Sequence, residues 1–292
     1  MTHKAGFVNI IGNPNVGKST LMNAFLGEKL SITTSKAQTT RHRIMGIKNT
    51  DDYQIVFSDL PGILDPHYKL QEKMLSFINQ ALQDADVFMY MLEMGERKYN
   101  EEIVEKIKKT KLPIIVLINK IDKSEQDKIM EEMKHWKSIF PDSDIFAISA
   151  LHNFNTKAVL DRILELLPES PPYFPKDEMS DKTLRFFVSE IIREKILLNF
   201  KQEIPYSVEV VVDEFKETEN LIRIKSTIFV ARDTQKSILI GKGGQSIKKF
   251  ATQAREDMEQ FLSNKVFLEL FVKVSKNWRD NDLQLKRFGY EN

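Results

Sequence analysis

A glycine-rich segment near the N-terminus has the residues needed to hold a chain of phosphates. Residues 12–19 read GNPNVGKS and match the pattern GxxxxGK[ST] between a predicted strand and a predicted helix. Glycine lets the backbone wrap around phosphates with its N–H groups pointing inward, and the following helix adds its positive end. Lys18 can place a charge on the β- and γ-phosphates, and Ser19 can offer a hydroxyl to Mg²⁺. The segment predicts a phosphate-binding loop whose further contacts come from Asn13, Asn15, Val16, Gly17 and Thr20.

A second motif, DLPG at residues 59–62, follows the apolar run IVFS. Asp59 can hold Mg²⁺ through water, and the amide of Gly62 can meet a γ-phosphate. Taken singly, Asp59 could equally belong to an ordinary turn. Its place after a strand, downstream of the phosphate loop, favours a magnesium–triphosphate site.

Two later motifs select the base. In NKID (119–122) the Asp122 carboxylate can accept hydrogen bonds from N1–H and the 2-amino group of guanine, neither of which adenine offers. Such paired bonds reject the wrong base by roughly 10⁴-fold. Asn119 braces the loop and the stem of Lys120 can lie along the base. Backbone amides of SAL (149–151; Ser149, Ala150 and Leu151) can contact the guanine O6. Four motifs in order, each at a strand end, predict that the bound nucleotide is GTP.

The segment between the first two motifs has the character of a switch. Residues 31–43, SITTSKAQTTRHR, are polar and lack an apolar period, so we expect a mobile loop that orders around the γ-phosphate. Thr40 is the predicted Mg²⁺-contacting hydroxyl, with Thr39 as the next choice. The alternative is that both are solvated surface threonines. A second switch is expected from Asp59 to about Gln71.

The residue after DLPG predicts slow hydrolysis. GTPases of the Ras type carry glutamine there, whereas Ile63 cannot orient or deprotonate water. Lys18, Thr40 and Gly62 remain as the catalytic candidates, and the missing charge must come from a cation or a partner. Asn15 matches the loop asparagine of potassium-activated GTPases, which makes K⁺ a candidate cofactor beside Mg²⁺. The alternative is that Asn15 only shapes the loop.

A different motif in the C-terminal half points to RNA. Residues 240–247, IGKGGQSI, fit the I-G-x-x-G-x-x-I core of a KH domain, whose glycine loop clamps about four nucleotides of single-stranded RNA. Residues 234–255 contain no acidic side chain. Without the glycines, this basic run would indicate only a solvated helix face. The predicted RNA contacts are Ile240, Gly241, Lys242, Gly243, Gly244, Lys248 and Lys249. The aromatic residues of this half recur at helix or strand spacing and are expected in the core rather than as base-stacking platforms: Phe186, Phe187, Phe229, Phe250, Phe261, Phe267 and Phe271.

The elements that must position these motifs fall into two groups. Before a proline-rich segment (168–175, PESPPYFP), apolar runs alternate with helical patterns, which predicts an α/β P-loop GTPase domain: a mostly parallel sheet with helices on both faces and ligands at the carboxyl ends of its strands. After it, the order helix–strand–strand–helix–helix–strand predicts a smaller α+β domain of type II KH topology. The predicted strands are 7–12, 55–62, 86–93, 113–120, 144–150, 207–215, 220–232 and 266–274. The predicted boundaries are 1–170 for the GTP-binding domain, 171–180 for the linker and 181–292 for the KH domain and tail.

Composition supports this reading by exclusion. The chain has 292 residues, 41% hydrophobic and 29% charged, a size and balance typical of a soluble protein with two domains. It has no cysteine, which excludes disulfides and thiol chemistry and fits a cytoplasmic setting. No run of about 18 apolar residues is present, so no membrane span is expected. Because the net charge is only +1, affinity for nucleic acid must come from local patches.

Together these residues resemble the Era family of bacterial GTPases. The resemblance covers nearly the whole chain, in GNPNVGKSTLMN (12–23), QTTRHRI (38–44), DLPGI (59–63), NKID, SAL, LRFFVSEIIREKI (184–196), the glycine loop and FGY (288–290). It implies assembly of the small ribosomal subunit, binding to the single-stranded 3′ end of its ribosomal RNA, and a GTP state that favours this binding until hydrolysis releases it. It also implies peripheral contact with the inner membrane, and we expect a monomer.

Two alternatives were weighed against this resemblance. A potassium-activated tRNA-modification GTPase would carry a folate-binding domain and a C-terminal catalytic cysteine, and this sequence has neither. A constitutive RNA-binding module with a purely structural nucleotide site is disfavoured by the intact Lys18, Ser19 and Asp59.

Overall fold

The computed structural model describes residues 3–290, which form two compact units. The first comprises the chain up to Thr33, then Thr40–Pro66 and Met74–Asp181. The second comprises Thr34–Thr39, His67–Lys73 and the chain from Lys182 onward. Two short segments of the N-terminal half therefore belong to the second unit. The predicted domain boundaries remain predictions.

A six-stranded sheet forms the centre of the first unit. Its strand order is β2-β3-β1-β4-β5-β6, and all neighbouring pairs are parallel except β2 with β3. The strands are β1 (Lys4–Gly12), β2 (Ile44–Asn49), β3 (Tyr53–Asp59), β4 (Val87–Glu93), β5 (Ile114–Asn119) and β6 (Asp144–Ala147). The sequence missed β2, IMGIKN, because its glycine, lysine and asparagine are poor strand formers and it lies at the sheet edge.

Helices cover both faces of this sheet, which confirms the predicted fold class. Residues of α2, α3 and α4 join one core cluster with the central strands, for example Ile78, Ile103 and Trp136. On the other face α1 packs on β2, β3 and α5. The helices are α1 (Lys18–Leu26), α2 (Lys69–Ala81), α3 (Glu101–Lys109), α4 (Gln126–Ile139) and α5 (Thr156–Leu166).

The proline-rich segment and the residues after it run along the edge of this sheet. The amide of Ile47 donates to the Met179 carbonyl at 2.9 Å, and the hydroxyl of Ser180 donates to the Met45 carbonyl at 2.6 Å. The side-chain amide of Gln54 donates to the Phe174 carbonyl at 2.8 Å. The bonds of Ile47 and Met45 give the edge strand β2 polar partners that it would otherwise lack, and the Gln54 bond ties the segment to β3.

The second unit is built on a three-stranded sheet of order β7-β8-β9, with β7 antiparallel and β9 parallel to β8. Its strands are β7 (Val208–Thr218), β8 (Leu221–Val230) and β9 (Val266–Val274), and its helices are α6 (Leu184–Asn199), α7 (Ile204–Ser207), α8 (Asp233–Ile240), α9 (Gln245–Leu262) and α10 (Asp282–Arg287). Ile192, Ile228 and Phe250 lie in its core. This is the α+β arrangement predicted for the KH domain. Among residues 3–290 no helix combines the length and apolar character needed to cross a bilayer.

Candidate nucleotide site and RNA-binding loop

The phosphate loop connects the end of β1 to the start of α1. Gly17 has φ +107°, a left-handed conformation, and a Cβ added there would lie 2.3 Å from Nδ2 of Asn119. Only glycine fits both constraints. Asn15 also has positive φ, at +65°, which asparagine tolerates better than most residues, and it is exposed.

Lys18, the first residue of α1, is only 6% exposed. Its ammonium donates to the carbonyls of Gly12 at 3.1 Å and Asn13 at 2.9 Å. Burial lowers the pKa of Lys18 to about 8, and the nearby carboxylates of Asp59 and Glu96 offset this only in part. A buried cation inside the loop is electrostatically suited to a polyphosphate, whose charge would restore its ordinary pKa.

The three predicted magnesium ligands meet in the first unit. The Ser19 hydroxyl donates to Asp59 Oδ2 at 2.7 Å and lies 3.0 Å from the Thr40 hydroxyl, which donates to the same carboxylate oxygen at 3.3 Å. Asp59 is fully buried, and its second oxygen, Oδ1, has no hydrogen-bond partner among residues 3–290. Burial raises the pKa of Asp59 despite the Ser19 hydrogen bond and the charge of Lys18. A buried carboxylate with a spare oxygen beside two hydroxyls fits a hard divalent cation.

The DLPG turn lies against the phosphate loop. A Cβ on Gly62 would lie 2.6 Å from backbone atoms of Pro14, so only glycine allows this approach. The next amide, of Ile63, donates to the Gly12 carbonyl at 3.1 Å. The Ile63 side chain is 5% exposed and packs in the core with Leu60. It therefore supplies no group to the chemistry at this position.

Asn119 joins the phosphate loop to the predicted base site. Its side-chain amide donates to the Val16 carbonyl at 2.7 Å, and its oxygen accepts from the amide of Ala150 at 2.9 Å. The Ser149 hydroxyl donates to Asp122 Oδ1 at 2.6 Å, and this hydrogen bond lowers the pKa of Asp122. An ionised carboxylate is thus available to accept from a purine edge.

Two further residues predicted to contact the base, Lys120 and Leu151, have different surroundings. Lys120 has φ +65° and its ammonium pairs with Glu93. Leu151, by contrast, is 72% exposed, so its side chain contributes no packing there.

Thr39 and Thr40 are each only 8% exposed, so the alternative of solvated threonines is wrong. Thr40 belongs to the first unit and points its hydroxyl at Asp59, whereas Thr39 belongs to the segment assigned to the second unit. Backbone carbonyls of that segment accept from Arg193, which the sequence did not single out. In the sequence, Glu190 three residues before Arg193 has the spacing of an ordinary surface pair, whereas the structure buries both side chains.

The sequence also missed two acidic residues beside the phosphate loop. Glu96 accepts a hydrogen bond from the Asn13 side chain at 2.7 Å and another from the Glu93 amide at 3.0 Å. Both glutamates lie at or just after the end of β4, in the loop EMGER, which matches no motif. Their position at the carboxyl end of a central strand was the available signal.

The glycine loop of the second unit follows α8 directly. Gly241, Gly243 and Gly244 all have positive φ, at +73°, +58° and +78°. A Cβ on Gly241 would lie 2.2 Å from Oγ of Ser246, whereas Gly243 and Gly244 face open space. Of the remaining predicted contacts, Ile240 is half-buried at the end of α8, and three lysines are exposed: Lys242, Lys248 and Lys249.

The expected core position of the aromatic residues holds only in part. Phe187 and Phe250 are buried, at 5% and 0% exposure. Phe267 and Phe271 are 48% and 42% exposed on β9, so the prediction was wrong for these two. Alternation along the strand turns both away from the helices, since only the other set of β9 residues faces the core.

Comparison with known proteins agrees with this geometry. Residues 7–120 match the family model described as 50S ribosome-binding GTPase, and residues 203–279 match that of the KH domain. The chain is 42% identical to GTPase Era of Clostridium kluyveri, over 99% of both proteins.

Two solved structures cover 99% of this chain and 100% of their own, each with a TM-score of 0.95 and 40% identity. One is Era in complex with MgGDPNP and nucleotides 1506–1542 of 16S ribosomal RNA, and the other is a variant of Aquifex aeolicus Era bound to GDP and AlF4⁻. Since a relative of this identity is matched along its whole length and the P-loop and KH features are all present, the chain belongs to the Era family of GTPases.

Proposed function

We propose that this GTPase is an RNA-binding switch in assembly of the small ribosomal subunit, and that it binds the single-stranded 3′ end of the small-subunit ribosomal RNA. The observation that carries the proposal is that the hydroxyls of Ser19 and Thr40 meet at one oxygen of the buried Asp59, whose other oxygen has no partner in the part of the chain that the structure describes. The same chain exposes a glycine loop followed by lysines. The relative that was solved with MgGDPNP and 16S ribosomal RNA supports the pairing of these two ligands.

In this proposal the phosphate loop and Lys18 bind the β- and γ-phosphates. Ser19, Thr40 and Asp59 would hold Mg²⁺, which would supply positive charge to the phosphates. The Gly62 amide meets the γ-phosphate. The guanine lies between Asn119, Lys120 and Asp122 on one side and residues 149–151 on the other. Water attacks the γ-phosphorus and the bond to the bridging oxygen breaks, yielding GDP and phosphate.

The buried Ile63 supports slow intrinsic hydrolysis, with K⁺ as the candidate that supplies the missing charge. The test compares turnover in KCl and NaCl at matched ionic strength, for the natural chain and for Asn15→Gly. Glycine keeps the positive φ of residue 15 and removes the amide oxygen. Loss of potassium stimulation in the variant supports a K⁺ ligand. Equal rates in both salts for the natural chain exclude potassium activation.

The switch itself predicts a reciprocal coupling. If GTP tightens RNA binding, RNA must tighten GTP binding by the same factor. The two factors are measured independently. One is the change in affinity for a single-stranded RNA copy of the small-subunit 3′ end between GDP and a non-hydrolysable GTP analogue, and the other is the change in affinity for each nucleotide when that RNA is present. An RNA affinity that is the same in both nucleotide states, or a Lys18→Ala variant with full cellular function, would favour the constitutive RNA-binding module.

Three further expectations are a monomeric state, a cytoplasmic location, which fits the lack of cysteine, and peripheral contact with the inner membrane, which the family resemblance implies. Light scattering at micromolar concentration tests the first. Fractionation of cells, followed by co-sedimentation of the pure protein with vesicles that contain anionic lipid, tests the other two.

A further inference from the structure

The sheet of the second unit has one face packed on helices and one face turned outward. Along β8 and β9 the two sets of side chains alternate: Ile224 and Val272 are buried on the helix side, at 1% and 9% exposure. The outward set contains the two exposed rings noted above. We call six of these outward residues the open patch: Arg223, Lys225, Phe267, Glu269, Phe271 and Lys273.

The described part of the C-terminal segment, up to Tyr290, covers the other end of this outward face. Phe288 packs on Phe229 with ring centroids 5.1 Å apart and on Trp278 at 5.5 Å. The Tyr290 hydroxyl donates to Glu209 Oε2 at 2.8 Å. These contacts bury the aromatic residues at that end, while the rings of the open patch stay about half exposed.

Each ring of the open patch has a cation beside it. The guanidinium of Arg223 lies 5.7 Å from the ring centre of Phe267, and the ammonium of Lys225 lies 5.0 Å from that of Phe271. In the parallel register Arg223 is directly opposite Phe267, whereas Lys225 reaches Phe271 diagonally, since Phe271 is opposite Thr227. An exposed ring with a neighbouring cation is what single-stranded nucleic acid needs, because a base can stack on the ring while the cation neutralises its phosphate.

The charges around the patch favour an anionic ligand. Three of its six members are cationic, and its one carboxylate, Glu269, is opposite Lys225 in the register. On the neighbouring strand, Glu214 pairs with Lys216 at 3.1 Å and Asp213 accepts from the Thr227 hydroxyl at 2.6 Å. An apolar protein surface docked here would bury these cations without partners, at a large desolvation cost.

The patch and the glycine loop are connected through two elements that pack on each other. Helix α8, which leads into the loop at Gly241, packs against β9, the strand that carries both rings. Because β9 is the edge strand of its sheet, an RNA strand held by the loop can pass that edge and reach the outward face.

We propose that the open patch is a second RNA-binding surface, on which bases of the strand clamped by the glycine loop stack against Phe267 and Phe271. This inference rests on the proposed RNA-binding function and extends it. The glycine loop holds about four nucleotides. The patch lengthens the bound segment and adds affinity that does not depend on base identity, since every base has a stacking face.

The test uses the full chain and two single-stranded RNAs of mixed sequence, one of about four nucleotides and one of about 12. The variant is Phe267→Ala with Phe271→Ala, and the control is Leu283→Ala, which removes a side chain 80% exposed on α10. Stacking on two rings predicts at least a tenfold loss of affinity for the longer RNA in the variant. The short RNA should bind the variant, the control and the natural chain equally.

Photocrosslinking the longer RNA, with 5-iodouridine in place of uridine, gives a direct second measurement. The proposal expects crosslinked peptides that contain Phe267 or Phe271. Full affinity of the double variant for the longer RNA, or equal losses for both RNAs, overturns it and leaves the glycine loop as the RNA site. If the natural chain binds neither RNA, the proposed RNA-binding function fails as well.

Discussion

Two charged side chains of the nucleotide site have lowered pKa values for different reasons. For Lys18 the cause is burial, which disfavours the charged amine; for Asp122 it is the hydrogen bond from Ser149, which favours the charged carboxylate. Lys18 therefore lowers the stability of the nucleotide-free protein, whereas Asp122 is held ready as an acceptor. Such a loss of stability is typical of a buried side chain whose role is to bind a charged ligand.

The first prediction concerns this cost. The pKa of Lys18 is about 8 in the folded protein, below the ordinary value of 10.5. The loss of folding stability caused by burying its charge is therefore fully present below pH 8 and disappears as the pH rises towards 10.5. Lys18→Met should therefore stabilise the nucleotide-free first unit by about 1–3 kcal/mol at neutral pH. Urea unfolding at about pH 7 and pH 9.5 measures the gain, which should shrink at the higher pH. Lys249→Met is the exposed control, and an equal gain at both pH values would contradict the interpretation.

The second prediction concerns base selection by Asp122. Replacing the carboxylate by an amide, in Asp122→Asn, turns one of its two acceptor oxygens into an N–H donor, so N1–H and the 2-amino group can no longer both be paired. GTP binding should weaken by roughly 100-fold or more. Inosine triphosphate lacks the 2-amino group, so the preference for GTP over it should fall towards one. Fluorescence titration measures both affinities, with the exposed Asp127→Asn on α4 as control. If the variant still preferred GTP over inosine triphosphate as strongly as the natural chain does, Asp122 would not be the residue that contacts the base.

At the scale of elements, helix α6 holds the segment Thr34–Thr39 inside the second unit. The Arg193 guanidinium, 1% exposed, donates to the carbonyls of Thr39 and Gln38 and pairs with Glu190. Burial is the largest influence and disfavours its charge, but the charge and hydrogen bonds of Glu190, together with Tyr290 and Glu209, outweigh it and raise the pKa of Arg193. Lys36 donates to two carbonyls at the C-terminal end of α6, where a helix leaves carbonyls without partners.

The third prediction tests that pair. Arg193→Met leaves the Glu190 carboxylate buried without its partner and should lower the free energy of unfolding of the second unit by about 3 kcal/mol. The double variant with Glu190→Leu should recover much of the loss, because it removes the unpaired charge. Thermal unfolding of the full chain measures both, with Arg185→Met on the exposed side of α6 as control. Losses that simply add in the double variant would show that the pair is not coupled.

At the scale of the whole molecule, electrostatic attraction to RNA has to be local. The formal net charge is only +1, so the chain as a whole does not draw in a polyanion. The exposed lysines at the glycine loop, Lys242, Lys248 and Lys249, provide the local source. The slope of log K against log salt concentration gives the number of phosphates that such side chains neutralise.

The fourth prediction uses this count. For an RNA of about four nucleotides, three lysine–phosphate contacts predict a slope of log K against log salt near about −2. Lys248→Gln with Lys249→Gln should reduce the slope by about 1.4 and weaken all sequences alike. Lys157→Gln, 87% exposed on α5, is the control. An unchanged slope in the double variant would show that these lysines do not contact phosphate.

What the sequence determined by itself is local. The phosphate loop, the base motif at 119–122 and the glycine loop at 241–244 are short segments whose backbone demands fix their residue types, so the fold class and the ligand class could be read from spacing alone. Strand β9 was also predicted with its exact ends, 266–274, because nine residues of β-forming character lie between clear breaks.

Only the tertiary structure decided which side chains are buried and what they face. Three properties depend on segments far away in the chain. They are the lack of a hydrogen-bond partner for Asp59 Oδ1 among the described residues, the burial of Arg193, and the exposure of Phe267 and Phe271. A single strand carries the same alternation whether or not something covers its second face. Burial is a property of whatever packs across from a residue, and spacing along the chain cannot report it.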